Sequence, residues 1–323
     1  MTVTRIIIDT DPGVDDAAAI WLALASPEIE LLGVTAVAGN VPLEATYANA
    51  CRIVGLSGRA DVPVMAGARG PLLRDQVFGK YAAIGAFPEA LVPDSGMISS
   101  DENAVAFIAR TARGAAREGR PVTICAIGPL TNVAMALRLH PEVAQGIERI
   151  VVMGGAFRAL GHRTPWAEFN VYADPHAAQI VLGSGVPITM CPLDVTLQAL
   201  FTATHVEKLR EQGGAPGCAL ARLVTEFDRS DPEKYGRPGG PLHDPMTIAW
   251  LVAPELFSGR RAAVGVQVGG STSGHTYADF NDSQARTTVM TDVNEPGYIA
   301  LVVDRIAALG AASERTAQEE TRQ

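Results

Sequence analysis

Residues 5–20 read R-I-I-I-D-T-D-P-G-V-D-D-A-A-A-I and set Asp9, Asp11, Asp15 and Asp16 within eight positions. The β-branched run before Asp9 is short and continuous, the pattern of a strand buried on both faces in the middle of a parallel sheet. Pro12-Gly13 breaks the strand, and Asp15 and Asp16 then open an alanine-rich helical segment whose first turn suits acidic side chains. The four carboxylates therefore sit on a strand-to-helix loop at the carboxyl end of a sheet, where open α/β folds bind ligands. For Asp15 alone a helix cap is a sufficient account. Four so closely packed resist ionising together unless a cation lies among them, and a hard ion taking about six to eight oxygens, such as Ca2+, would resolve the conflict.

The alternation that starts there continues along the chain. Residues 30–38, 62–66, 122–127, 149–153 and 187–190 read as strands, and 42–56, 102–118, 133–139 and 174–182 as helices, with Asp101 the candidate cap of the second. Two helices follow over 204–229, and a Gly/Pro-rich linker at 237–241 precedes a helix at 246–252. Residues 262–268, 277–280 and 287–291 read as late antiparallel strands, and 296–309 as a closing helix. The pattern predicts an α/β fold, an open, mostly parallel, doubly wound sheet with a Rossmann-like core and additional antiparallel strands and helices. Residues 69–100 are the least regular stretch, a candidate flap or a plain surface segment with Phe78, Tyr81 and Phe87 reading as exposed aromatics.

A chain of 323 residues permits one large α/β domain or two ordinary ones. No internal repeat or clean linker divides it, so residues 1–310 read as a single domain and 311–323 as a polar, frayed tail. The net charge of −9 and the lack of a basic stripe argue against nucleic acid and anionic membrane as partners. The four cysteines show no C-x-x-C spacing, which suggests reduced thiols rather than zinc or disulfides. No apolar run is long enough to span a bilayer and the N-terminus enters directly into a strand, so the expected location is cytoplasmic.

Polar residues recur where apolar strands stop: Asp11, Asp15 and Asp16, then Asn40, then Glu168 with Asn170, then His243 with Asp244. Each alone has an ordinary explanation: Asn40 as a turn residue, Glu168 as a solvated charge, His243 as the neighbour of a helix cap. Their shared placement at one sheet edge is what points to a site.

D-T-D-P-G-V-D-D resembles the signature of the nucleoside hydrolases, the inosine-uridine preferring N-ribohydrolases, and the likeness extends over residues 6–252. The resemblance implies the nucleoside hydrolase fold and calcium-dependent cleavage of a small-molecule ribonucleoside to base and ribose. By the same resemblance Asp11, Asp16, Asp244 and the main-chain carbonyl of Ile127 would hold Ca2+, and Asp15 would be the general base. His243 would protonate the leaving base, Asn40, Glu168 and Asn170 with Asp15 would hold the ribose hydroxyls, and Met153 would pack near the sugar or simply fill the core. Relatives of this kind form dimers or tetramers, so a homodimer or homotetramer is implied.

Two stretches depart from the family pattern. Many relatives with broad or pyrimidine preference carry a histidine in the flap, whereas residues 77–81 read V-F-G-K-Y. His162 stands where some members have asparagine, able to reach the sugar's 5′ end or the base, and Trp166 nearby could stack on a base or seal its loop. Two other readings compete. Asp9-x-Asp11 after a first strand resembles the pair of the haloacid-dehalogenase phosphatases, although Pro12-Gly13 and the extra Asp15-Asp16 fit that family poorly. A non-catalytic nucleoside- or sugar-binding protein is the other, and it would have no need of Asp15.

Overall fold

Ile6, Ile7 and Ile8 are all fully buried. Three consecutive side chains of a strand can be buried only when both faces of the sheet are covered. The computed structural model, which describes residues 3–80, 82–94, 96 and 100–320, shows how. Strand β1 (Thr4–Thr10) lies between β2 (Ile29–Ala36) and β4 (Val122–Ala126), parallel to both. β2 pairs in parallel with the short edge strand β3 (Val64–Ala66), and β4 with β5 (Ile147–Met153) and then β6 (Ile188–Cys191). The chain thus runs outward one way from β1 to β3 and returns to build the other half from β4. The topological switch falls between β1 and β4, and the crevice at their carboxyl ends is where such sheets bind ligands.

Helices cover the two faces as separate apolar layers. α1 (Val14–Leu24), α2 (Leu43–Leu56), α9 (Gly214–Glu226), α11 (Pro245–Val252) and α12 (Glu295–Glu320) pack on the face that receives Ile6 and Ile8, with Trp21 and Tyr298 its bulkiest members. α3 (Ala104–Glu118), α4 (Thr131–Leu139) and α6 (Pro175–Leu182) cover the face that receives Ile7. The short α5 (Phe169–Ala173), α7 (Leu193–Thr196) and α10 (Pro232–Tyr235) and the longer α8 (Ala203–Gln212) fill the connections. The two-residue strands β7 (Leu200–Phe201) and β8 (Gly240–Pro241) pair with each other, so the Gly/Pro stretch read as a linker holds a small ribbon. Among the described residues no helix is long and apolar enough to cross a membrane.

The late strands are only partly as expected. β9 (Phe257–Val266) and β10 (Thr276–Asp279) are antiparallel, but β11 (Thr287–Val293) inserts between β9 and β6 and is parallel to β6. Among the described residues nine strands form one sheet, six of its pairings parallel and two antiparallel.

Other sequence expectations are corrected. Asn103, not Asp101, caps α3, its Oδ1 accepting from Val105 N at 2.9 Å. Phe87 is buried against Phe227, with ring centroids 6.3 Å apart, and its N–H donates to Asn49; Tyr81 lies outside the described residues. The helix expected to end near residue 309 continues to Glu320. Gly310 is no terminator: a Cβ there would come 2.0 Å from the Gly213 carbonyl oxygen, so glycine is required where α12 crosses the α8–α9 turn.

Polar bonds between strand ends set the crevice. Asn132, at the start of α4, donates to Asp9 Oδ1 at 2.8 Å and to the Ala36 carbonyl at 3.1 Å, and accepts from Ala68 N at 2.8 Å. It ties β1, the end of β2 and the exit of β3 together in a fully buried position. Asn132→Ala removes three bonds at a buried junction, leaving Asp9 Oδ1 with Thr35 alone, and should cost about 2–4 kcal/mol. Urea unfolding measures this, and a loss below about 0.5 kcal/mol, the scale of an ordinary surface change, would show that the hub is dispensable.

Candidate active site

Loop 10–16 follows β1 directly, so the strand's rigidity is passed on to its carboxylates. Asp16 reaches back over the first turn of α1, accepting from Gly13 N at 2.8 Å and Thr10 Oγ1 at 2.5 Å. Asp11 accepts from Asn40 N at 2.6 Å, and its carbonyl takes a bond from Asn40 Nδ2 at 3.0 Å. It fits because its neighbours lack side chains: a Cβ on Gly39 or Gly128 would lie 2.1 or 2.7 Å from its carboxylate oxygens. Asp244 arrives from the other end of the chain, at the start of α11. The carboxylates of Asp15, Asp16 and Asp244 bring oxygens within 4.8 Å of one another, all three buried.

These residues line a cavity of about 610 Å3. Asp11, Asp15, Asp16, Asn40, Ile127, Met153, His162, Glu168, Asn170, His243 and Asp244 all contribute, so eleven of the twelve site residues read from the sequence meet there. Trp166 does not. It is about half exposed and outside the cavity lining, its carbonyl 3.1 Å from His275 Nδ1. Asp9 is fully buried away from the cavity, its Oδ1 taken by Thr35 and Asn132. A D-x-D phosphatase pair needs both carboxylates facing substrate, and here only Asp11 does.

Several of these groups also build the wall. Glu168 is not a solvated charge: it is 1% exposed and caps α5, accepting from Asn170 N, Val171 N and Gly155 N at 2.8–3.2 Å. Asn170 Nδ2 donates to the carbonyls of Ile127 and Met153 at 2.9 and 3.1 Å, bridging the ends of β4 and β5. His162 Nε2 accepts from Phe169 N at 3.2 Å, and its ring stands 5.8 Å from that of His243. The His243 backbone N–H is 3.3 Å from Asp15 Oδ2, and its Nδ1 is 2.8 Å from Thr196 Oγ.

The electrostatics divide the carboxylates. Burial raises Asp11 well above the usual range, reinforced by Asp16, and raises Asp244 likewise, reinforced by Asp15 and Asp16. Asp16 is pushed up to about 6 by burial and Asp15. Glu168 is pushed up to about 7 by burial, against the N–H groups it caps. Asp15 goes the other way. Burial would raise it too, but the charge and hydrogen bonds of Arg229 prevail and bring it down to about 2. Burial lowers His162 to about 4 and His243 to about 3, so both rings are neutral near pH 7.

The sequence reading missed Arg229. Its guanidinium forks onto both Asp15 oxygens, at 2.9 and 2.8 Å, from the turn between α9 and α10. Asp228, Ser230, Asp231, Lys234 and Tyr235 of the same segment line the cavity, as do Phe78 and Lys80 of the candidate flap, whose Gly79 N–H donates to the Asn40 carbonyl. The alternation of charge in D-R-S-D was the available signal, but the pairing spans 214 residues.

A divalent cation fits what is present. Among the described residues the tightest acidic group is Asp15, Asp16 and Asp244, with Asp11 in the same cavity. The strain of Asp11, Asp16 and Asp244 toward protonation is what a bound cation relieves, and an all-oxygen donor set suits a hard ion.

Known proteins share this architecture. Residues 6–300 match the family model described as inosine-uridine preferring nucleoside hydrolase. The pyrimidine-specific ribonucleoside hydrolase RihA of Salmonella typhimurium is 45% identical over 93% of this chain and 97% of its own length. An uncharacterised protein of Schizosaccharomyces pombe is 43% identical over 94% and 99%. Among solved structures, the purine-preferring ribonucleoside hydrolase from Gardnerella vaginalis superposes with a TM-score of 0.85 at 34% identity, over 95% of this chain and 99% of that one. The match over nearly the whole chain, with the acidic cavity at the switch point of the sheet, makes the protein an enzyme of the inosine-uridine preferring nucleoside hydrolase family.

Proposed function

We propose that the chain uses Ca2+ to hydrolyse the N-glycosidic bond of ribonucleosides, with Asp15 as general base and His243 as donor to the leaving base. The observation that carries this reading is the split among neighbouring carboxylates: Asp15 is held ionised while Asp11, Asp16 and Asp244 are driven toward the neutral form. Groups whose environments push their titrations apart are suited to different roles. Asp11, Asp16, Asp244 and the Ile127 carbonyl would hold the ion, and the Ile127 oxygen keeps a lone pair for it beside the bond from Asn170. Bound there, calcium would neutralise the carboxylates, orient sugar hydroxyls and lower the pKa of a coordinated water.

The protein's own groups supply the rest. Asp15 takes a proton from the attacking water, whose oxygen bonds to C1′ as the C1′–N bond breaks and its electron pair leaves with the base. Arg229 keeps Asp15 ionised, and it must release one carboxylate oxygen for that proton transfer. His243, neutral at working pH, meets the departing base as a hydrogen-bond donor. Asn40, Glu168 and Asn170 line the cavity with the donors and acceptors a sugar needs, and Met153 adds an apolar patch. Pyrimidine ribonucleosides have the stronger support as substrates, since relatives at 44–45% identity are named pyrimidine-specific while the purine-preferring structure stands at 34%. The single domain over residues 1–310, a cytoplasmic location and a homodimer or homotetramer complete the proposal.

A release assay over uridine, cytidine, inosine and adenosine, with and without chelator, tests the reading directly. Free base should appear, and chelation should abolish it. Turnover of a phosphate ester instead, or full activity after metal removal, would overturn it. Asp15→Ala should lose about 10²–10⁴-fold in kcat, the range for a positioned base, with the fold retained by circular dichroism. A loss under tenfold would remove Asp15 from that role.

The carboxylates also predict a pH signature for the metal-free protein. Asp9 and Glu168 have folded values of about 7, and Asp11 and Asp244 lie well above the usual range, so the folded chain binds protons more tightly than the unfolded one. Their stabilising contribution is complete below the unfolded values near about 4 and is lost as pH rises through the folded ones. His162, His243 and His205, depressed in the fold, act in the opposite sense, and their share fades as pH rises through about 6.5. From pH 6.5 to about 8 the carboxylates outweigh them, and Tm of the chelated protein should fall. Calcium should flatten that slope and raise Tm most at the upper end, as scanning calorimetry would show; a rising Tm over that window in chelator would refute the argument.

A further inference from the structure

Thr196 is fully buried at the last position of α7, just beyond the carboxyl end of β6, with its hydroxyl 2.8 Å from His243 Nδ1. A helical threonine usually turns its proton onto the carbonyl four residues back. Here that carbonyl, Pro192, already accepts from Val195 N at 3.1 Å and Thr196 N at 3.0 Å, which fills both of its lone pairs. The hydroxyl proton is thereby directed to the imidazole. A ring that accepts at Nδ1 carries its own proton on Nε2, the nitrogen left for the cavity that His243 lines. The backbone around His243 is anchored separately: Tyr298 Oη donates to the Leu242 carbonyl at 3.0 Å, and His243 N meets Asp15 at 3.3 Å. Thr196 therefore acts on the orientation and tautomer of the ring, not on the loop.

We infer that Thr196 is a positioning residue for leaving-group departure, fixing His243 as the Nε2–H tautomer so that a hydrogen-bond donor faces the departing base. This rests on the reading of His243 as the group that meets that base. A neutral imidazole with the opposite tautomer would turn a lone pair toward the base nitrogen or carbonyl, opposing departure. The interaction therefore matters for bases that leave as poorly stabilised anions and little for a nitrophenolate, which leaves without help.

The test uses the full-length, metal-replete enzyme with Thr196→Val, which keeps the shape and removes the hydroxyl, and Thr196→Ser, which restores it. Thr196→Val should lower kcat on uridine and inosine about tenfold or more, the lower part of what a positioned donor contributes. The loss on p-nitrophenyl riboside should be at least five times smaller, roughly the margin that separates a leaving-group effect from general damage. Thr196→Ser should recover most of the difference, and Thr196→Val should add nothing in a His243→Ala background. Independently of turnover, 15N-histidine NMR should show the Nε2–H tautomer in the parent and a mixture or reversal in Thr196→Val. Equal losses on all substrates, or an unchanged tautomer in the valine variant, would overturn the role of Thr196. If His243→Ala itself fails to separate the leaving groups, the reading of His243 falls, and the NMR result still decides whether Thr196 sets the tautomer.

Discussion

The structure depends on concentrating negative charge where the chain reverses its direction of travel across the sheet. Asp11, Asp15, Asp16 and Asp244 are each at most 6% exposed, and their mutual repulsion is unfavourable to folding. The fold tolerates it because the cost falls on rigid elements. β1 is hydrogen-bonded on both sides, its Asp9 carbonyl accepts from Ile127 N and Gly128 N, and the glycines at 39 and 128 let Asp11 enter a gap no other residue would leave. Arg229 offsets part of the charge and a hard cation would offset more, so binding and stability are linked.

The same side chains serve architecture and line the cavity, so its walls are braced by their own hydrogen bonds. Glu168 closes the amino end of α5 while its carboxylate faces the cavity, and Asn170 holds two strand ends by their carbonyls. A substitution at either would disturb the wall and the cavity lining together. Losses of activity there say little about chemistry unless kcat and KM are separated. Asp15 is different, because its partners are the Arg229 guanidinium and one backbone N–H, and none of its bonds ties one strand end to another.

What the sequence reveals follows the range of the interactions involved. The central strand, the acidic loop and the helix that begins after position 244 are local patterns, a β-branched run, a Pro-Gly break and a His-Asp-Pro helix start, and the folded chain contains all three. Burial of Phe87 and the insertion of β11 beside β6 depend on partners distant in sequence, so tertiary packing overrode the local signal. The pairs that tune the chemistry were least legible of all. Asp15 with Arg229 and His243 with Thr196 join residues 214 and 47 positions apart, and neither cation nor hydroxyl belongs to a motif. Trp166 shows the converse error, an aromatic close in sequence to E-F-N that the fold turns away from the cavity.

This separation bears on why members of one family prefer different bases. Most polar residues of the cavity sit at strand ends, where the sheet fixes them. Other parts of the lining come from 78–80 and 228–235, segments with little regular structure, which the bond from Gly79 to Asn40 and the fork from Arg229 to Asp15 tie to those strand ends. Insertions and substitutions in such segments leave the sheet untouched. A relative named pyrimidine-specific and a structure named purine-preferring can therefore share this architecture almost end to end. Likeness over nearly the whole chain is therefore compatible with different base preferences among relatives, because the sheet that carries it does not include those two segments of the cavity lining.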